Sequence, residues 1–435
     1  MRKMTLALVS VALAAGLAHA QTTITLTAQT ADAEKGTVTF AYTIAGRSGH
    51  DAAWRAEITI GGMVASNFAE CAWCDLPVVD GAHTVTWNAR AEGIETPDLA
   101  TTSIALVAET ATSADADYMI VDVSSGKDST EYPVRFAKAG PNVTTAQFNK
   151  PLYKLGKIAF KRVTVGDFAL TEGGLPYTFK MGTGQVATGT AWHPVRLTQD
   201  YFLGIFEVTQ QQYTHVVGSN PSMWKTKETA LDSIKDEITD YTMHPVGNVA
   251  YDTFAAADTG LFARLSARAR HLGTAVGSLG APTEAQWEYA CRAGCENKYH
   301  WGADTETAEG ELVEDHYGWN NFQSDPNSGI AGRTHHGVGE KLPNAWGFYD
   351  MTGNAYEYCS DFYAGYGSTS TSDPEVDPTG PASGTKRVIR GGGATFKRVE
   401  MASGYRRGQD TNSPGSGWGS YWQAVMGTRL AMTVQ

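Results

Sequence analysis

The sequence predicts two units of different fold class: an all-β, immunoglobulin-like sandwich over residues 21–137, and a larger, irregular α+β body over residues 155–435. Three observations predict this. The first half is a series of short alternating segments cut by glycine-rich turns, almost without helical period. The second half opens with helix-start signals and ends in a long stretch rich in Gly, Trp and Tyr where that period fades. Between them, AKAGPNVTTAQFNKP (137–151) is polar and aperiodic, with two prolines, and reads as a linker over 138–154.

The first twenty residues, MRKMTLALVSVALAAGLAHA, read as a secretory signal peptide. Arg2 and Lys3 precede an apolar run, and Ala18-His19-Ala20 forms a small-x-small cleavage site. The expected location is secreted or periplasmic. No other apolar run approaches the roughly 18 residues that a membrane span needs. The 435 residues carry 46 acids against 34 Lys and Arg, a net charge of −12. An exported acidic chain is a poor partner for nucleic acid or an anionic membrane.

In the first half, ITLTA (24–28), TVTFAYTI (37–44), AEITI (56–60), HTVTWNA (83–89) and PVRFA (133–137) alternate as half-buried strands do. Gly36, Gly46, Gly61-Gly62 and Asp80-Gly81 supply the turns between them. Cys71 and Cys74 fall in a loop. A local disulfide, two free thiols or half a metal site are the alternatives for this C-x2-C pair. Five cysteines in all (Cys291, Cys295 and Cys359 are the others) leave at least one thiol outside any intrachain disulfide.

In the second half, Thr209 followed by Gln212, and Thr283 followed by Gln286, are capping-box pairs that start helices. Gly218 and Gly294 stop them. Phe254, Ala257, Leu261 and Leu265 predict a third helix between them. No fixed-period repeat, nucleophile elbow, H-E-x-x-H or phosphate loop is present. Cys291 lies on the apolar face with Trp287 and reads as a buried thiol. His335-His336 lies in a Gly-rich loop and reads as solvated.

Seven segments in order then carry a resemblance: FKMGTG (179–184), HPVRLTQDYFLGIFEVTQQQY (193–213), HPVGNVAYDTFAAA (244–257), APTEAQWEYACRAG (281–294) with HWG (300–302), LPNAWGFYDMTGNAYEYCSDFY (342–363), RVIRGGGATF (387–396) and MGTRLAM (426–432). Together they resemble the formylglycine-generating enzymes, or sulfatase-modifying factors, over about 155–435. The resemblance implies an irregular C-type-lectin-like body. It also implies a structural calcium ion on the D-x-x-G-N-x-x-E turn, held by the carboxylates of Asp350 and Glu357 and the carbonyls of Gly353 and Ala355. Oxygen donors of this mixed kind suit calcium. A turn whose acids bond only to the protein is the alternative. A second family calcium site would use Asn320 or Asn321, but GIAGRTHHG (329–337) lacks its acid, so that site is not carried over.

In that family, copper bound by two cysteines just after the R-G-G motif oxidises a client cysteine. The matching positions here are Phe396 and Met401, and no cysteine follows Ile389. Phe396 has no donor atom and Met401 offers one thioether, so copper is not expected. The expected function is a non-catalytic recognition module for a peptide, protein or glycan. The alternative is a formylglycine-generating or related oxidase acting on secreted proteins.

Overall fold

The computed structural model describes residues 22–46, 54–108, 110–140, 143–165, 178–183, 191–226, 240–302, 313–320, 335–366, 373–414 and 423–434, together with the backbone of residues 10–11. The remainder of the signal-like segment, Asn321 and residues 329–334 lie outside the described residues. The fold is mixed α and β, with mostly β content. Among the described residues, no helix is long and apolar enough to cross a membrane.

Alternation in the first hundred residues produces two facing sheets. Thr23–Asp32, Thr37–Ala45 and Gly81–Trp87 pair antiparallel in one sheet. Trp54–Ile60 pairs with Met63–Val64 and Ser103–Ala108 in the other. Every second residue of Thr37–Ala45 (Val38, Phe40, Tyr42, Ile44) points into a core shared with Ala56, Ile58, Ile60 and Ile104. A period of two on a half-buried sheet demands this pattern.

The expected boundary at residue 137 is corrected by strand pairing. PVRFA belongs to strand Tyr132–Ala137, which pairs with Tyr118–Asp122, and that strand pairs with Lys157–Val163. These three are the middle of a seven-stranded sheet completed by Thr274–Ala275, Ala269–His271, Tyr201–Gly204 and Ala431–Thr433. Tyr118–Asp122 is buried at every position. A strand covered on both faces does not alternate, so period alone cannot assign it to either half.

The expected linker over 138–154 is likewise packed. Thr145–Phe148 forms a 3₁₀ turn and Leu152–Leu155 a helical turn. Phe148 and Tyr153 are fully buried. From the first half, the loop around Cys71–Cys74 enters the same cluster. Trp73 meets Tyr118 and Phe148 edge-on at 5.7 and 5.8 Å, and the Ala72 N–H donates to the Tyr153 hydroxyl at 2.8 Å. Lys157 pairs with Asp75 at 2.7 Å. Cys71 and Cys74 are both buried, and they are not joined in a disulfide.

Helices Gln210–Val217 and Glu284–Arg292 start at the two capping boxes, each reciprocal, with Thr209 and Thr283 as N-caps. The first ends at Gly218, left-handed as expected. The second turns left-handed one residue before Gly294, at Ala293. The third expected helix is two: Tyr251–Phe254 and Leu261–Arg268. Gly260 caps the second, and a Cβ there would come within 2.5 Å of the Phe254 carbonyl oxygen, so the chain breaks between them. A four-stranded sheet (Arg407–Asp410, Lys386–Arg390, Tyr356–Phe362, Met426–Gly427) then carries Glu357 and Cys359 on its strand Tyr356–Phe362.

Candidate functional site

The turn 350–357 is built by close backbone approach. Gly353 has φ 77°, and a Cβ there would lie 2.1 Å from the Trp319 carbonyl oxygen, so only glycine fits. The Gly353 N–H donates to Gly391 and the Asn354 N–H to Trp319. Asp350 and Asn354 also sit at positive φ, 54° and 58°.

All four residues expected to hold calcium are on this turn, and its two carboxylates are engaged differently. Both Glu357 oxygens take Arg429, at 2.7 Å from Nε and 2.7 Å from Nη2. The Trp287 Nε1–H donates to Glu357 as well, at 2.7 Å. The Ala355 N–H donates to Glu207 Oε1 at 2.8 Å, and the Asn354 amide donates to Glu207 Oε2 at 2.7 Å. Asp350 Oδ2 accepts the Gly339 N–H at 2.6 Å, while Oδ1 is buried without a hydrogen-bond partner. Burial pushes the Asp350 carboxyl up to about 6. Burial, then Asp350 and Glu357, push Glu207 well above the usual carboxylate range. Three carboxylates thus surround one arginine that is itself fully buried. As arranged, Glu357 turns both oxygens to Arg429 and one of them also to Trp287, so a calcium ion at this turn would compete with Arg429 for that carboxylate. Among the described residues, no group of three or more His, Cys, Asp or Glu side chains could hold a metal ion.

A second buried network was not read from the sequence. Helix Glu284–Arg292 aligns Glu284, Glu288 and Arg292 at spacings of four, so all three share one face. Arg292 pairs with Glu288 at 2.7 Å, Arg406 with Glu284 at 2.6 Å, and Arg390 with Glu284 at 3.0 Å and also with Glu288. The Gly182 N–H donates to Glu288 at 2.9 Å, and Arg292 donates back to the Gly182 carbonyl at 3.0 Å. The i, i+4, i+8 spacing was visible, but that these partners lie 102 and 122 residues away was not.

This network floors a groove of about 500 Å³, whose walls include Trp192, Lys298, Tyr363, Val399 and Tyr405. The Arg398–Met401 turn forms one edge. That turn holds one of the two positions aligned with the family cysteines. Met401 is buried in a cluster with Tyr299, Trp301 and Tyr405, and Phe396 packs edge-on against Tyr356 at 5.1 Å. Val399 is exposed on the rim.

Neither the thiols nor the histidines make an activated centre. Cys291 is fully buried 3.7 Å from the Met351 carbonyl, and burial pushes its thiol up to about 12. Cys359 is pushed up by burial too, and Cys295 contacts the Tyr299 carbonyl at 3.3 Å. His335, expected in solvent, is fully buried with Nδ1 2.9 Å from Nδ1 of His244. Its neighbour His336 stacks on Trp319 at 3.6 Å. His244 and His335 lie 91 residues apart in the chain, so their meeting is set by tertiary packing and leaves no local sign in the sequence.

A family model described as sulfatase-modifying factor enzyme 1-like domain matches residues 157–422. The formylglycine-generating enzyme of Thermomonospora curvata is 30% identical over 171 residues, 39% of this chain and 49% of that protein. That of Streptomyces coelicolor is 30% identical over 174 residues, 39% and 46% respectively. The chain thus spans about half the length of the curated relatives it matches. Among solved structures, Treponema denticola variable protein 1 is 26% identical with a TM-score of 0.45, covering 63% of this chain and 95% of that one.

Proposed function

The chain belongs to the family of sulfatase-modifying factor enzyme 1-like domains, and from that premise we propose that this member is an exported recognition module whose groove binds a ligand without oxidising it. The observation that carries the reading is the pair Phe396 and Met401. One side chain has no donor and the other a single buried thioether. Two thiolates are what a soft Cu(I) ion requires, and the residues present do not fit it. The groove beside them is floored by a buried ion network, so its shape does not depend on a metal. The body takes the C-type-lectin-like form that the resemblance implies. The two facing sheets of the first half act as an immunoglobulin-like unit, locked onto the body through Trp73 and Asp75. A leader at 1–20 places the whole outside the cytoplasm.

The test is chemical. Purified protein is incubated with copper, oxygen and a Cys-x-Pro-x-Arg peptide, the kind of motif the resemblance implies. Mass spectrometry should find no aldehyde product. Turnover above a no-protein control overturns the reading. A Phe396→Cys, Met401→Cys double variant that gains copper absorption, absent from the wild type, supports it from the other side.

A further inference from the structure

We infer that the groove selects an acidic peptide segment that also carries an aromatic or branched apolar side chain. This rests on the recognition reading above and adds the ligand's charge and class. The charges of the buried network are unequal. Among the described residues, the carboxylates paired with Arg292, Arg390 and Arg406 are those of Glu284 and Glu288, so three guanidinium groups share two carboxylates, their other donors going to backbone carbonyls. Lys298, exposed at the rim, adds a further cation, its Nζ 5.0 Å from the Tyr299 ring. Among the described residues, the lining holds three cationic side chains and no carboxylate. In a chain of net charge −12 that concentration of positive charge is local and not a property of the surface at large. Arg292 and Arg406 keep their geometry because glutamates and backbone carbonyls hold their N–H groups, so a ligand carboxylate meets positive charge fixed in place.

The walls add the apolar half of the ligand. Trp192 stands with Lys180 Nζ 4.8 Å and the Arg292 guanidinium 5.3 Å from its ring. Tyr363, Tyr405 and the exposed Val399 face the same space. About 500 Å³ suits one or two side chains and the backbone between them. The same lining disfavours a sugar. Sugar hydroxyls need acceptors as well as donors, and the described walls carry no amide or carboxylate side chain, only hydroxyls and backbone carbonyls.

The experiment uses the full chain and three fluorescein-labelled hexapeptides: alternating Glu and Phe, alternating Gln and Phe, and alternating Lys and Phe. Anisotropy at low salt should rank Glu/Phe at least about fivefold tighter than Gln/Phe, with Lys/Phe weakest, a gap that closes as salt rises. Lys298→Glu, a change at an exposed position, should erase or reverse the order. Trp192→Ala should weaken all three peptides and keep the order. Equal binding of the three, or tightest binding of Lys/Phe, with Trp192→Ala still weakening them, overturns the charge inference and leaves the recognition reading standing. Binding of none of them, or displacement of Glu/Phe by a sulfated disaccharide at equal or lower concentration, overturns the peptide assignment. Aldehyde formation in the copper assay overturns the recognition reading by itself, whatever the peptide ranking.

Discussion

Glu357 decides what the turn 350–357 is for. Its carboxylate is fully buried and shared between Arg429 and Trp287. Breaking a buried pair leaves an uncompensated charge, at a cost of about 3–5 kcal/mol. Glu357→Gln keeps the shape and an acceptor but loses the charge, so urea unfolding should show a loss toward the lower end of that range, about 3 kcal/mol. Arg429→Met should be costlier still, since it strands Glu357 beside Glu207 and Asp350. For the wild type, calcium and EDTA should give the same thermal midpoint. A rise with calcium that disappears in Glu357→Gln would mean that the carboxylate leaves Arg429 for the ion. The sequence drew attention to Glu357 through the D-x-x-G-N-x-x-E spacing and the resemblance it carries. It could not say which cation the acid faces, since Arg429 lies 72 residues away.

At the scale of elements, the capping boxes at Thr209 and Thr283 were legible because a cap is a local bargain between residues three apart. The tie between the segments bearing His244 and His335 was not, because it joins residues 91 apart. Burial, with His336 nearby, lowers His244 to about 3, against a smaller raising influence from the His335 backbone and Asp240. Burial first, then His244 and His336, also lowers His335. Both rings are neutral in the folded state. A base whose folded pKa is depressed contributes stability that is present above its unfolded value near 6.5 and is lost as pH falls below it. The carboxyls of Asp350 and Asp361, raised to about 6 and about 7 by burial, act oppositely: their contribution is present in acid and lost as pH rises through those values. The histidine contribution is isolated by comparison with His244→Gln. The wild type should lose stability between pH 6.5 and pH 4 with a slope approaching about 1.4 kcal/mol per pH unit for each extra proton bound on unfolding. His244→Gln should start lower at pH 7 and fall less steeply. Parallel slopes in denaturant titrations would show that the pair does not control the acid limb.

For the whole molecule, the central sheet makes residues 118–137 part of the same folding unit as the body that follows. Its strands Tyr118–Asp122 and Tyr132–Ala137 lie on the N-terminal side of the expected linker, and Lys157–Val163 lies on the other. A fragment beginning at residue 155 would expose a long edge and lose the partners of Phe160 and Phe202 in the core. It should be insoluble or unfolded by circular dichroism, while one beginning near residue 110 should fold. Limited proteolysis of the intact chain should spare 143–155, where Phe148 and Tyr153 are fully buried. A first cut there, with a stable fragment from 155 onward, would restore the boundary expected from sequence.

What the sequence determined by itself is everything carried by neighbours: the alternating strands of the first half, two capped helices, the G-N turn, and family membership through motifs in order. The missing thiols at positions 396 and 401 are of the same kind, since an absent atom needs no fold to be seen. Only the tertiary structure decided where those pieces meet. It moved residues 118–137 from the sandwich to the central sheet, because a strand buried on both faces has no period to betray its partner. It gave Glu357 to Arg429, and it gathered arginines from positions 292, 390 and 406 around two glutamates of one helix. Apart from the local Glu288–Arg292 pair, these partners lie 72 to 122 residues apart, and charge pairing and burial act through space where distance along the chain does not encode them.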